Sequence, residues 1–140
     1  MPVIPHVFIS GGQCAAAFER YRDIFGGELT LTRSKDAPPE ARMPGASEDS
    51  VMHAELSFGD SRIMGADDPT GDGGAMTGVA LNFVAPDVDA ATEVFEALSA
   101  GGQVQMPLGP TFWSPGFGAC VDQFGVPWMV DTSQGDGSAS

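Results

Sequence analysis

The stretch "GGEL", Gly26-Gly27-Glu28-Leu29, returns as "GGQV", Gly101-Gly102-Gln103-Val104, 75 positions further on. Each copy follows an apolar stripe of helical spacing and precedes a short alternating segment, so each reads as a junction where a helix stops and a strand begins. Upstream of the first copy, Cys14, Phe18, Tyr21 and Phe25 recur at i, i+4, i+7 and i+11 and form one apolar side of a helix. Ser10 and Gln13 have the spacing of a capping box at its start. Before it, "VIPHVFIS" is rich in β-branched and aromatic residues and reads as a strand.

Downstream come the strand "ELTLTRS", the loop "KDAPPEARMPGASED", and the strands "VMHAELSF" and "SRIMGAD", joined at the hairpin dipeptide Gly59-Asp60. Around the second copy the order repeats. A strand "VALNFVA" leads to a helix capped by Asp87 or Asp89 with Ala91, Val94, Phe95 and Leu98 as its buried stripe. The strands "QVQMPLG", "FGACVD" and "VPWMVDTS" follow, and "SFGDSRIMGAD" is echoed by "QFGVPWMVDT" at an offset of 66. Two parallel series of turns predict a duplicated unit. The expected fold is α+β: paired βαβββ modules forming curved mixed sheets, each with a helix on its convex side and a concave side left open as half of a cavity. A single domain is expected over 1–133, with module one at 1–68, a linker at 69–77 and module two at 78–133. The polar stretch 134–140 has too little apolar surface to offset the entropy of ordering and is expected as a disordered tail.

Nineteen Asp and Glu against six Lys and Arg give a formal charge of -13. Such a surface repels phosphate backbones and anionic headgroups, which excludes nucleic acid and membrane partners. No apolar run reaches the ~20 residues a membrane helix requires, and "MPVIPHVFIS" lacks the charged start and cleavage site of a signal peptide. A cytoplasmic protein is expected. The two cysteines, Cys14 and Cys120, lack CxxC spacing and read as buried thiols. There is no GxGxxG, Walker or GxSxG motif, so neither a nucleotide cofactor nor a serine nucleophile is indicated. Asp67, Asp68 and Asp72 lack the spacing of a calcium loop and read as linker.

The candidate chemistry lies in "VMHAELSFGD". Alternation puts Val51, His53, Glu55 and Ser57 on one face and Met52, Ala54, Leu56 and Phe58 on the other. His53 and Glu55 stand ~6.5 to 7 Å apart along the strand, close enough to share an ion or for the carboxylate to orient the imidazole. A solvated face or a dimer contact is the alternative. His6 shares its strand face with Ile4 and Phe8. If His6 reaches the pair across the sheet, His6, His53 and Glu55 make a 2-His-1-carboxylate set. Phe112, Trp113, Phe117 and Trp128 cluster near Gly-Pro turns, where aromatics line an apolar pocket or, as core packing explains better for Phe117 and Phe124, fill the interior.

Through "AFERYRDIFGGEL", "VMHAELSFGDSRIMGADD" and "FWSPGFGACVDQFGVPWMVD" the chain resembles the vicinal oxygen chelate superfamily of glyoxalases, bleomycin resistance proteins and extradiol dioxygenases, more narrowly its PhnB-like branch. The resemblance implies a small molecule held in a sheet-lined cavity by a cytoplasmic homodimer. Metal enzymes of that superfamily place four ligands on the first and last strands of each module. Carried over, these positions fall on His6, on Ile63 or Met64, on Ala80 or Leu81, and on Met129 or Val130, so one of the four carries a donor suited to a hard divalent metal. Two readings stay open. One is a lyase, isomerase or transferase in which Glu55 and His53 act directly, or with His6 hold one divalent Zn, Ni, Mn or Fe ion, for proton abstraction or group transfer. The other is a metal-free drug-binding or resistance protein, whose acidic charge would favour a cationic guest. In both, His6, Met64, Trp113 and Trp128 line the pocket.

Overall fold

The computed structural model describes residues 2–41, 47–69 and 76–132. Along the chain run β1 (His6–Ile9), α1 (Cys14–Phe25), β2 (Glu28–Arg33), β3 (Val51–Phe58), β4 (Ser61–Asp67), β5 (Leu81–Ala85), α2 (Val88–Ser99), β6 (Gln103–Gly109), β7 (Phe117–Val121) and β8 (Pro127–Thr132). Two short 3-10 turns, Ser34–Asp36 and Pro39–Ala41, follow β2. The chain divides into two compact units, Met1–Gly74 and Ala75–Ser140. The expected tail 134–140, and residues 70–75 of the expected linker, lie outside the described residues.

Each unit is a four-stranded mixed sheet, in the order β1-β4-β3-β2 and β5-β8-β7-β6. In both, the first strand runs parallel to the last, and the remaining neighbours are antiparallel. That is the βαβββ pattern: the helix carries the chain across one face, so the fourth strand of the unit can close against the first. Cys14, Ala17, Phe18 and Tyr21 of α1 are buried together with Val7, Ile9, Ala54, Leu56 and Ile63 of the first sheet. In unit two, Ala91, Phe95 and Leu98 of α2 are buried with Cys120, Trp128 and Val130. Fully burying a side chain of this size stabilises by roughly 1.5 to 3 kcal/mol.

The repeated glycines have a steric cause. A Cβ on Gly27 would lie 2.0 Å from the Ser57 carbonyl oxygen, and one on Gly102 would lie 2.1 Å from that of Val121. Only glycine lets each helix exit pass so close to the neighbouring strand.

Two local expectations are corrected. Gly11 and Gly12 have φ of 77° and 73°, outside the helical region, so α1 cannot begin from Ser10. Gln13 is the N-cap and makes no side-chain capping bond. The echo at offset 66 pairs Met64 with Val130, yet Met64 is half-buried while Val130 is fully buried among the residues beneath α2. The loop between β7 and β8 spans 122–126 where that between β3 and β4 spans only 59–60, and this difference shifts the strand alternation by one. Asp122 closes the longer loop. Its carboxylate, 5% exposed, accepts hydrogen bonds from Phe124 N–H (2.9 Å), Val126 N–H (3.0 Å) and Trp128 Nε1–H (2.9 Å).

Candidate functional site

On the first sheet, the face away from α1 is organised by register. His6 of β1 is opposite Met64 of β4, Met64 is opposite Glu55 of β3, and Glu55 is opposite Thr30 of β2. A neighbouring row runs from Arg62 through Ser57 to Glu28. Side chains at diagonal positions of adjacent strands reach one another when they are long, and this brings Arg62 onto Glu55. Arg62 Nε lies 3.1 Å from Glu55 Oε2, and His53 Nε2 lies 3.6 Å from Glu55 Oε1. The Glu55 side chain is 32% exposed, against 38% for His53 and 50% for Arg62.

The His6 ring centre is 6.3 Å from that of His53 and 4.7 Å from that of Phe8, which is exposed. Burial, and then the neighbouring His53, hold the His6 imidazole below its ordinary pKa of 6.5. At neutral pH His6 therefore presents an uncharged ring with a free acceptor nitrogen.

The structure brings His6, His53, Glu55 and Met64 to one face. Trp128 it does not: that indole is 2% exposed, opposite Cys120, and donates to Asp122 inside unit two. Trp113 is half-exposed on the loop before β7. Of the positions weighed for metal ligands, Met64 lies on the open face and Ile63 is buried on the α1 side, while Met129 is half-buried and Val130 is buried beneath α2.

A hard divalent ion does not fit the His6, His53, Glu55 set. One carboxylate oxygen of Glu55 is taken by the Arg62 guanidinium, a fixed positive charge that repels a second cation at this range. Among the described residues no group of three or more His, Cys, Asp or Glu side chains is arranged to hold a metal ion. Nor do the thiols supply a nucleophile. Burial pushes Cys14 up to about 12, helped by Asp67 and opposed by Arg33, and burial followed by Asp122 pushes Cys120 up to about 11.

Arg62 is absent from the sequence reading, although a signal for it exists. The two-residue turn at Gly59-Asp60 sets Ser57 opposite Arg62, and counting back through the turn leaves Glu55 one diagonal away. Asp67 closes β4, as the strand "SRIMGAD" predicts, and at 9% exposed it is a buried structural carboxylate instead of part of an acidic linker cluster. Its carboxylate accepts from Cys14 N–H (2.9 Å) and Val51 N–H (2.8 Å), so a side chain from β4 satisfies the first amide of α1.

Two open βαβββ sheets of the same strand order define the class. The profile of the Glyoxalase/Bleomycin resistance protein/Dioxygenase superfamily matches residues 3–130, and the chain belongs to that superfamily. The crystal structure of protein PA1353 from Pseudomonas aeruginosa is 35% identical, covering 94% of this chain and 97% of that one, with a TM-score of 0.84. Protein YjdN of Escherichia coli is 29% identical over 94% of this chain and 95% of its own length. The PhnB protein from Bacillus cereus shares the fold, with 21% identity, a TM-score of 0.76, and coverage of 94% of this chain and 99% of that one. No helix among the described residues is long and apolar enough to cross a membrane.

Proposed function

We propose that this chain binds a small oxygenated molecule on the open face of its first sheet without the help of a divalent metal. The observation that carries this reading is the Glu55 carboxylate set between His53 and Arg62. Held this way, the three groups offer an acceptor, a fixed cationic donor and an imidazole at spacings a ligand of a few heavy atoms can span. Phe8, exposed beside His6, adds an apolar edge for the ligand's body. Binding is favoured over catalysis by Glu55, because both of its carboxylate oxygens already face protein partners, Arg62 on one and His53 on the other. A proton-transfer reading has one specific support, the uncharged His6 imidazole on the same face.

The proposal includes a homodimer in the cytoplasm. Two free, buried thiols, Cys14 and Cys120, suit a reducing compartment.

The test is a thermal-shift screen of small oxygenated acids, amides and cationic drugs on untagged protein, with and without chelator, beside metal analysis. The expected result is a ligand-dependent rise that chelator leaves unchanged and that Glu55→Gln reduces at least tenfold in affinity. As an exposed ion pair, the contact with Arg62 supports folding by only about 0 to 1 kcal/mol, so the variant stays folded. A stoichiometric metal in the native protein that disappears in Glu55→Ala overturns the metal-free reading. A ligand bound equally by Glu55→Gln removes the face from the account.

A further inference from the structure

The chain has six basic side chains, and all of them, Arg20, Arg22, Arg33, Lys35, Arg42 and Arg62, belong to unit one. Arg20 and Arg22 lie on α1, which packs on the other side of the sheet from the open face. Arg33 donates to the Asp49 carbonyl (2.8 Å), Lys35 pairs with the Asp49 carboxylate (3.3 Å), and Arg42 lies outside the described residues. Arg62 alone of the described basic side chains is joined to the polar groups of the open face, through Glu55.

That contact uses one edge of the guanidinium. Glu55 meets Arg62 at Nε (3.1 Å), and among the described residues Arg62 has no other polar partner. A guanidinium carries five N–H donors and no acceptor. The two terminal nitrogens therefore keep their N–H groups for an outside acceptor, in the fork that fits both oxygens of one carboxylate. Two residues along β4 stands Met64, with His6 opposite it on β1 and Glu55 opposite it on β3. A rise of ~3.3 Å per residue and strands ~4.8 Å apart put the backbone of His6 about 8 Å from that of Arg62.

We infer that Arg62 is the specificity-determining residue of this face, and that the ligand it selects is a short monocarboxylate carrying one further hydroxyl or carbonyl oxygen. The assignment rests on the open face being a binding surface. The carboxylate takes Nη1 and Nη2, the carbon body lies on the Met64 thioether and toward Phe8, and the second oxygen faces His6, whose uncharged ring both donates and accepts. One negative charge is the limit. Glu55 already flanks the guanidinium, and the exposed Glu28 ends the row that runs from Arg62 through Ser57, so a second carboxylate meets like charge. The formal charge of -13 does not forbid the first, because exposed charges are screened beyond ~8 Å at physiological ionic strength while the fork acts at hydrogen-bond distance.

The full chain, with carbon-13 in its methionine methyl groups, is titrated with mandelate, with mandelamide, and with phenylglycinamide, a cation of the same skeleton. The Met64 signal is assigned by its loss in Met64→Leu. The expected result is a saturable shift of Met64 with mandelate, with affinity at least tenfold weaker for the amide and for the cation. Arg62→Gln is expected to weaken mandelate at least tenfold and bring it level with mandelamide. Arg62→Lys, which keeps the charge without the fork, is expected to weaken it at least threefold. Urea midpoints of both variants should stay near the native value, since an exposed ion pair adds little to folding. Mandelate bound no better than the amide or the cation, native affinity in Arg62→Gln, or no saturable shift with mandelate overturns the inference. If mandelamide shifts Met64 as strongly as mandelate and loses affinity in Glu55→Gln, the carboxylate assignment falls and the binding face stands. If Met64 stays still with every compound that raises the melting temperature of the native chain, both fall together.

Discussion

The two units have the same strand order and the same direction of every pairing, yet they place their polar groups differently. On the sheet face away from its helix, unit one carries His6, His53, Glu55 and Arg62. In unit two, β5 exposes Asn82 and Val84, and the Asp131 of β8 is occupied by Ser114. The helix starts differ as well. Unit one satisfies the Cys14 amide with Asp67, 53 residues away in sequence, whereas in unit two Asp87 caps α2 locally by accepting from Ala90 N–H at 2.8 Å. The two units therefore share what sterics require, the glycine junctions and helix stripes. They differ in their buried carboxylates and in the polar groups on the open sheet face.

If the shared skeleton is steric, the equivalent glycines must fail alike, and the expected effect is large. Gly27→Ala and Gly102→Ala each drive a methyl to within 2.0 to 2.1 Å of a strand carbonyl oxygen. Overpacking of this kind costs roughly 1 to 3 kcal/mol, and at Gly27, whose φ is 97°, left-handed strain adds about 1 to 2 kcal/mol more. Urea denaturation should give much lower midpoints for both, with Gly27→Ala the worse. A wild-type midpoint for either would break the equivalence of the two junctions.

The second test separates the halves. Asp67→Ala leaves two buried backbone N–H groups, of Cys14 and Val51, without their acceptor, at roughly 1 to 3 kcal/mol for each. Asp87→Ala removes one exposed cap and costs about 1 kcal/mol. Asp122→Ala should resemble Asp67→Ala, since it strands two amides and the Trp128 indole. Equal midpoints for Asp67→Ala and Asp87→Ala would show that the buried carboxylate is no more than an ordinary cap.

How much of this was legible in the sequence follows the range of the interactions. The stripe at Cys14, Phe18 and Tyr21 and the glycine pairs were legible because periodicity and chain reversal act within a few residues. The meeting of His6 with His53 was legible conditionally, because βαβββ topology alone puts the first strand one strand away from the third. Asp67 was not, because its partners lie 53 and 16 residues off and nothing local distinguishes it from Asp68. The side on which Trp128 falls depended on the length of the 122–126 loop, and that loop is shaped by the Asp122 carboxylate, itself a tertiary feature.

The smallest effect expected concerns the imidazole that sets the face of unit one apart. Burial, followed by His53, lowers the His6 pKa from 6.5 in the folded chain, so around and below that pH the unfolded chain binds more protons at this position. Stability then rises with pH through this range and falls on acidification, with nothing contributed well above 6.5. Nearby, the face holds His53 and Glu55 on β3, Arg62 on β4 and Glu28 on β2, so a single substitution isolates one contribution among several. In His6→Gln, which keeps a polar side chain without a titrating ring, the loss of midpoint between pH 8 and pH 5 should be slightly smaller than in the native chain. Unit two has no histidine, as His6 and His53 are the only two in the chain, so a sensitive backbone probe should find the excess acid-induced opening in β1 and its partner strand β4 and none in β5 and β8. An acid response spread equally over both units, or unaltered by His6→Gln, would place its origin in the carboxylates common to the whole chain instead of in the face that distinguishes unit one.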